Sequence, residues 1–126
     1  MLLLGGLETD AGLAQLHEAL RLDPQRLTRS TPFVWLLATH PQESARRPDQ
    51  ARQLAERIVA ATGRRDPGAL DALAACYAAL GRFDEAVTAA RDALAVASRP
   101  DHATLRAAIA DHLERFAQRQ AIVMDR

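Results

Sequence analysis

Apolar residues recur at three- and four-residue steps along this chain, and the clearest run is Pro67–Ala97. Leu70, Leu73, Ala74, Tyr77 and Leu80 fall on one face of a helix. Asp66 suits its N-cap, and Pro67 suits its first position, where the missing N–H would have had no helical acceptor. Gly81 ends it. Phe83, Ala86, Val87, Ala90, Ala93 and Leu94 repeat the pattern over a second helix, roughly Asp84–Ala97. Most of the facing positions are Ala, so the two axes can approach closely. A lone hairpin of this size buries too little surface to stand alone, and neighbours must cover its other faces.

The same periodicity predicts those neighbours. Asp10–Leu22 reads as a helix with Leu13, Leu16 and Leu20 on its apolar side, stopped at Asp23-Pro24 because a residue before Pro is pushed out of the helical region. Thr31–Thr39 is the next helix, with Thr31 as cap, Pro32 first, and Phe33, Leu36 and Leu37 towards the core. Pro41 breaks it. After a long turn, His40–Asp49, Pro48 opens a companion helix that turns Ala51, Leu54, Ala55, Ile58 and Val59 inward and ends at Gly63. A last helix runs from Asp101 to about Gln120, with Leu105, Ile109, Leu113 and Phe116 as its stripe. Arg106, Asp111, Glu114, Arg115 and Arg119 lie on its wet side.

Leu70, Leu73, Ala74, Tyr77, Gly81, Phe83, Ala86, Ala93 and Leu94 stand where a tetratricopeptide repeat keeps its large and small packing residues, nine matches in register over a unit of about 34 residues. The Gly-Arg-Phe-Asp-Glu-Ala turn, Gly81–Ala86, is similar to the family's turn, and Ala19–Pro24 resembles the closing phrase of a repeat. One departure is Ser98 where the family has Pro; Pro100 comes slightly late. The resemblance implies an all-α fold, an α-solenoid of antiparallel helix hairpins with a C-terminal capping helix, in one domain, 1–126. Its parts would be a partial repeat at 10–24, a degenerate repeat at 28–63, the best-formed repeat at 67–97 and the capping helix at 101–120. The chain would begin in mid-repeat.

Composition narrows the function. One hundred and twenty-six residues form one core, not two. Hydrophobic residues make up 48% but aromatics only 4%, and dominance by Ala and Leu favours helix over strand. Formal net charge is zero, with Arg as the sole basic residue besides His, so nucleic acid meets no basic footprint. Met1–Leu4 is too short for a signal peptide or a membrane span, and a single Cys76 agrees with a reducing cytoplasm, the expected location.

Chemistry is sparse. His102 and His112 lie ten residues apart on one helix, about 15 Å of rise and too far to share a metal. His17-Glu18 lacks the second His of a zinc-protease helix. Cys76 sits among Ala residues without a neighbouring cation, which suits a buried structural thiol. Asp84-Glu85 are adjacent on a helix and point apart, so they make no acid–base pair. No catalysis, cofactor or metal is expected.

What remains is surface. By resemblance, the first helices of successive repeats line a groove for a peptide or helix of a partner protein. Its residues here would be Thr31, Trp35, Ala38 and Thr39, followed by Asp71, Ala75, Ala78 and Ala79. The family's carboxylate clamp uses Lys and Asn where this chain has Asp71 and Ala75, so an apolar or helical ligand fits better than an acidic tail. Trp35 reads either as groove anchor or as core. The unpartnered flank of Asp10–Leu22 would expose Leu13, Leu16 and Leu20, which predicts a homodimer through that edge. Two other readings stay open: an appendage of a larger enzyme, such as a transferase, and a nucleic-acid-binding helical protein.

Overall fold

The computed structural model describes residues 29–123, and among these every regular element is helical. The helices are α1 (Thr31–Thr39), α2 (Pro48–Ala61), α3 (Pro67–Ala79), α4 (Phe83–Val96) and α5 (Ala103–Ala117), with short 3-10 turns at Glu43–Ala45 and Pro100–His102. The predicted helix at Asp10–Leu22, with its self-association residues Leu13, Leu16 and Leu20, lies outside the described residues.

Local chemistry explains most boundaries. At the start of α3, Asp66 Oδ1 accepts from Gly68 N at 3.0 Å and Ala69 N at 3.2 Å, so two of the four orphan amides of that end are satisfied. At the end of α3, Gly81 takes φ +77°, with Gly81 N donating to Ala78 O and Arg82 N to Tyr77 O at 2.8 Å. This pair of bonds closes a helix when the residue after the cap is left-handed. The same ending recurs at Gly63 of α2 and again at Arg119, φ +60°, beyond α5. There the strain of a side chain in the left-handed region is offset by the Arg119 guanidinium lying 5.4 Å from the Phe83 ring centroid.

Three expectations change in detail. α4 begins one residue earlier, at Phe83, and α5 starts only at Ala103 after the 3-10 turn. On α1 the buried residues are Val34, Leu37, Ala38 and Thr39, while Phe33 and Leu36 are only half-buried. The segment is so uniformly apolar that its periodicity does not single out a face, and contact with both α2 and α3 chooses Val34 instead. Arg106 is exposed, as its place on the wet side requires, and its Nη1 also donates to Leu94 O and Ala97 O, both at 2.8 Å. It caps the carbonyl end of α4, where a cation is favoured.

α3 is the hub. It packs against α1, α2, α4 and α5, while α2 meets α1 and α3, and α4 meets α3 and α5. One core cluster gathers Leu37, Leu54, Ile58, Leu70 and Ile109; a second gathers Ala74, Ala75, Ala78, Ala86, Ala90 and Phe116. The second is nearly all Ala because α3 and α4 lie close together. Trp35 and Tyr77 touch both clusters.

Candidate functional site

The face expected to form a groove is largely filled by the chain itself. Ala38, Thr39, Asp71, Ala75 and Ala78 are buried, whereas Thr31, Trp35 and Ala79 are half-buried. Thr39 Oγ1 satisfies its polarity by donating to Trp35 O at 2.6 Å. Asp71, 3% exposed, meets His112 of α5: the imidazole Nδ1 lies 2.9 and 3.0 Å from the two carboxylate oxygens. A buried carboxylate needs such a partner. The His112 ring in turn lies 5.5 Å from Trp35 and 6.4 Å from Phe116, centroid to centroid. Trp35 and His112, from the two helices that flank α3, therefore meet beside Asp71. Trp35 belongs partly to the core and partly to this contact.

The pair was invisible in the sequence, because forty-one residues separate its members. Its form, a His held by a carboxylate, is also that of an oriented base. Here the contact fastens α5 to α3.

On the other side of α3 the half-buried Tyr77 reaches the surface, next to Leu73, which is 4% exposed. Leu73 and Tyr77, one turn apart, form the floor of a surface cavity of about 290 Å³ whose wall is α4, through Asp84, Glu85, Thr88, Ala89 and Asp92. A second cavity of about 230 Å³ adjoins it towards α2, through Glu56, Val59 and Ala60. Arg64, Leu73 and Tyr77 belong to both, so the two make one groove crossing α3 between α2 and α4. The side chains in it are already ordered. Tyr77 Oη donates to Glu56 Oε2 at 3.3 Å, and the Arg82 guanidinium lies 5.0 Å from the Tyr77 ring centroid. Arg82 grips Glu85 with two bonds, 2.6 and 2.7 Å, Arg52 holds Glu56 at 2.9 Å, and Arg64 holds Asp92 at 3.0 Å. Among the described residues, Asp84 makes no ion pair. Burial, and then the Glu56 charge, push the Tyr77 phenol above its ordinary value.

Leu73 and Tyr77 were read as packing residues, which Leu73, 4% exposed, remains, and Asp84 and Glu85 as adjacent helix residues that make no acid–base pair. The signal that points to this groove is the spacing of Asp84, Thr88 and Asp92, which puts polar groups on one stripe of an otherwise Ala-rich helix.

Cys76 is fully buried, and its thiol is pushed far above the ordinary range by loss of solvent, which makes it a poor nucleophile. Among the described residues no group of three or more His, Cys, Asp or Glu could hold a metal ion. No described helix is long and apolar enough to cross a membrane. The chain matches no protein-family model, no curated protein and no solved structure.

Proposed function

We propose that this chain is an interaction module of the tetratricopeptide kind that binds a segment of another protein and carries out no catalysis itself. The observation that carries the reading is the surface groove at Tyr77, with the buried Leu73 beneath it, between polar walls on the most extensively packed of the described helices. A groove of this form suits a peptide or helix: the floor supplies apolar burial, and the walls fix orientation. The order of helix contacts supports the repeat. Each hairpin's second helix packs on the first helix of the next, and α1, α3 and α5 follow one another side by side, as stacked helix pairs do.

This reading moves the site from the expected face to the opposite one. Asp71, Ala75 and Ala78 are buried by contacts within the chain, so a partner reaches the half-buried Tyr77 more readily than it reaches them.

The test is quantitative capture from an extract of the source cell, with the parent chain and a Tyr77→Ser variant compared side by side. A module working through this groove retains a discrete protein that the variant loses while keeping its helical circular dichroism. Retention of the same proteins by both would place binding elsewhere.

A further inference from the structure

The walls of the groove specify the charge of what enters it. Resting on the reading of the chain as an interaction module, we infer that the groove takes a lysine- or arginine-bearing amphipathic helix of a partner protein, its apolar side on Leu73 and Tyr77 and its cations along α4. Four carboxylates line the groove, Glu56, Asp84, Glu85 and Asp92, against one guanidinium, Arg64. Arg52 and Arg82 stand behind Glu56 and Glu85 and offset part of that charge, but Asp84 has no arginine partner among the described residues. The pairs that do exist are exposed: Arg64 and Asp92 show 57% and 46% of their side chains to solvent. Such pairs contribute little to the fold and exchange readily for an incoming cation.

The geometry matches a helix rather than a single side chain. Asp84, Thr88 and Asp92 repeat every four residues along about 12 Å of α4. A docked helix with cations at the same four-residue interval meets them in register. Between the walls, the exposed Ala60 and the half-buried Tyr77 ring offer it apolar contact, above the buried Leu73, Val59 and Ala89. An acidic helix would face Glu56, Asp84 and Asp92 with like charge, and a hydrophobic one would leave those carboxylates under cover without partners.

The absence of lysine from this chain makes the test selective, because every side-chain amine then belongs to the partner. The probe is a sixteen-residue N-acetylated helical peptide of Ala and Leu with Lys at four-residue spacing, set against a twin with Glu in place of Lys. Fluorescence anisotropy is read at low ionic strength with the parent chain, Asp84→Asn/Asp92→Asn, and a control of equal charge change on α5, Asp111→Asn/Glu114→Gln. The Lys peptide should bind, and the groove variant should weaken it roughly tenfold, the effect of removing two exposed ion pairs. The control should not weaken it. Carbodiimide coupling should join the peptide's amines to Asp84, Glu85, Asp92 or Glu56. Any of four results overturns the inference: equal binding of the two peptides, binding of neither, equal weakening by groove and control variants, or self-association of the chain that Asp84→Asn/Asp92→Asn relieves, which would make the occupant a second copy. If neither peptide binds and capture from the extract still depends on Tyr77, the interaction module stands and the basic partner falls.

Discussion

His112 on α5 and Asp71 on α3 meet with both carboxylate oxygens within 3.0 Å of one imidazole nitrogen, at a carboxylate only 3% exposed. Among the described residues, this is a polar tie between the last helix and the hub. Removing His112 leaves the Asp71 carboxylate buried and without that partner. His112→Ala should therefore lower stability by about 1–3 kcal/mol in urea unfolding, and His112→Phe, which keeps the ring contacts with Trp35 and Phe116, should recover only part of it. Full recovery by Phe would show that packing alone matters there.

Trp35 leans on the same imidazole and touches both core clusters while remaining half-buried. Trp35→Ala should cost about 2–4 kcal/mol, near the lower part of the range for buried aromatic deletions. A loss below half a kcal/mol, or about that, with a selective loss of partner binding would restore Trp35 as a groove anchor.

Ala74 and Ala86 have no exposed surface and belong to the cluster where α3 meets α4. Ala74→Leu and Ala86→Leu each force the axes apart and should destabilise by roughly 1–3 kcal/mol. Thermal unfolding of both variants at the parental temperature would mean that α3 and α4 do not pack through these positions.

Gly81 holds φ +77° with open space where a Cβ would stand. Gly81→Ala thus tests backbone strain alone and should cost about 1–2 kcal/mol. Gly81→Asn, a residue more tolerant of the left-handed region, should cost less than Gly81→Ala.

Alkaline pH separates the folded and unfolded chains. Cys76, ordinarily 9.0, is raised by burial, and Tyr77, ordinarily 10.0, is raised by burial and by Glu56. Both groups keep their protons longer in the folded chain, so the unfolded chain binds fewer protons above pH 9 and stability falls as pH rises from there. The slope from Cys76 sets in about one pH unit below 9.0 and is absent well below that. The urea midpoint should decline between pH 9 and 11, and Cys76→Ala should flatten the early part of that decline. A thiol reagent should label Cys76 only at the rate of unfolding.

How far the fold could be read in advance followed from the range of each interaction. The α3–α4 hairpin was legible because Asp66, Pro67 and Gly81 act within a few residues, and because small and large positions alternate at helical spacing. The buried face of α1 was not legible, since Thr-Pro-Phe-Val-Trp-Leu-Leu-Ala-Thr offers apolar side chains in nearly every direction and tertiary contact chose among them. The site was hidden for a third reason. Asp71 was expected to line the groove, but His112, on a distant helix, buries it, and Tyr77 looked like core although α2 and α4 leave its phenol edge open. Arg106 was rightly placed in water, but its bonds to Leu94 O and Ala97 O were hidden, because these are backbone groups whose availability depends on where α4 ends.

The central claim is that a partner engages the groove between α2 and α4 over Leu73 and Tyr77. Amide hydrogen exchange of the chain, alone and with its captured partner, tests this most directly. The claim predicts slower exchange in 56–64 and 81–92 on binding, with α1 and the middle of α5 unchanged. Slowing confined to α1 and α5, around Trp35 and His112, would contradict it and return the binding site to the opposite face.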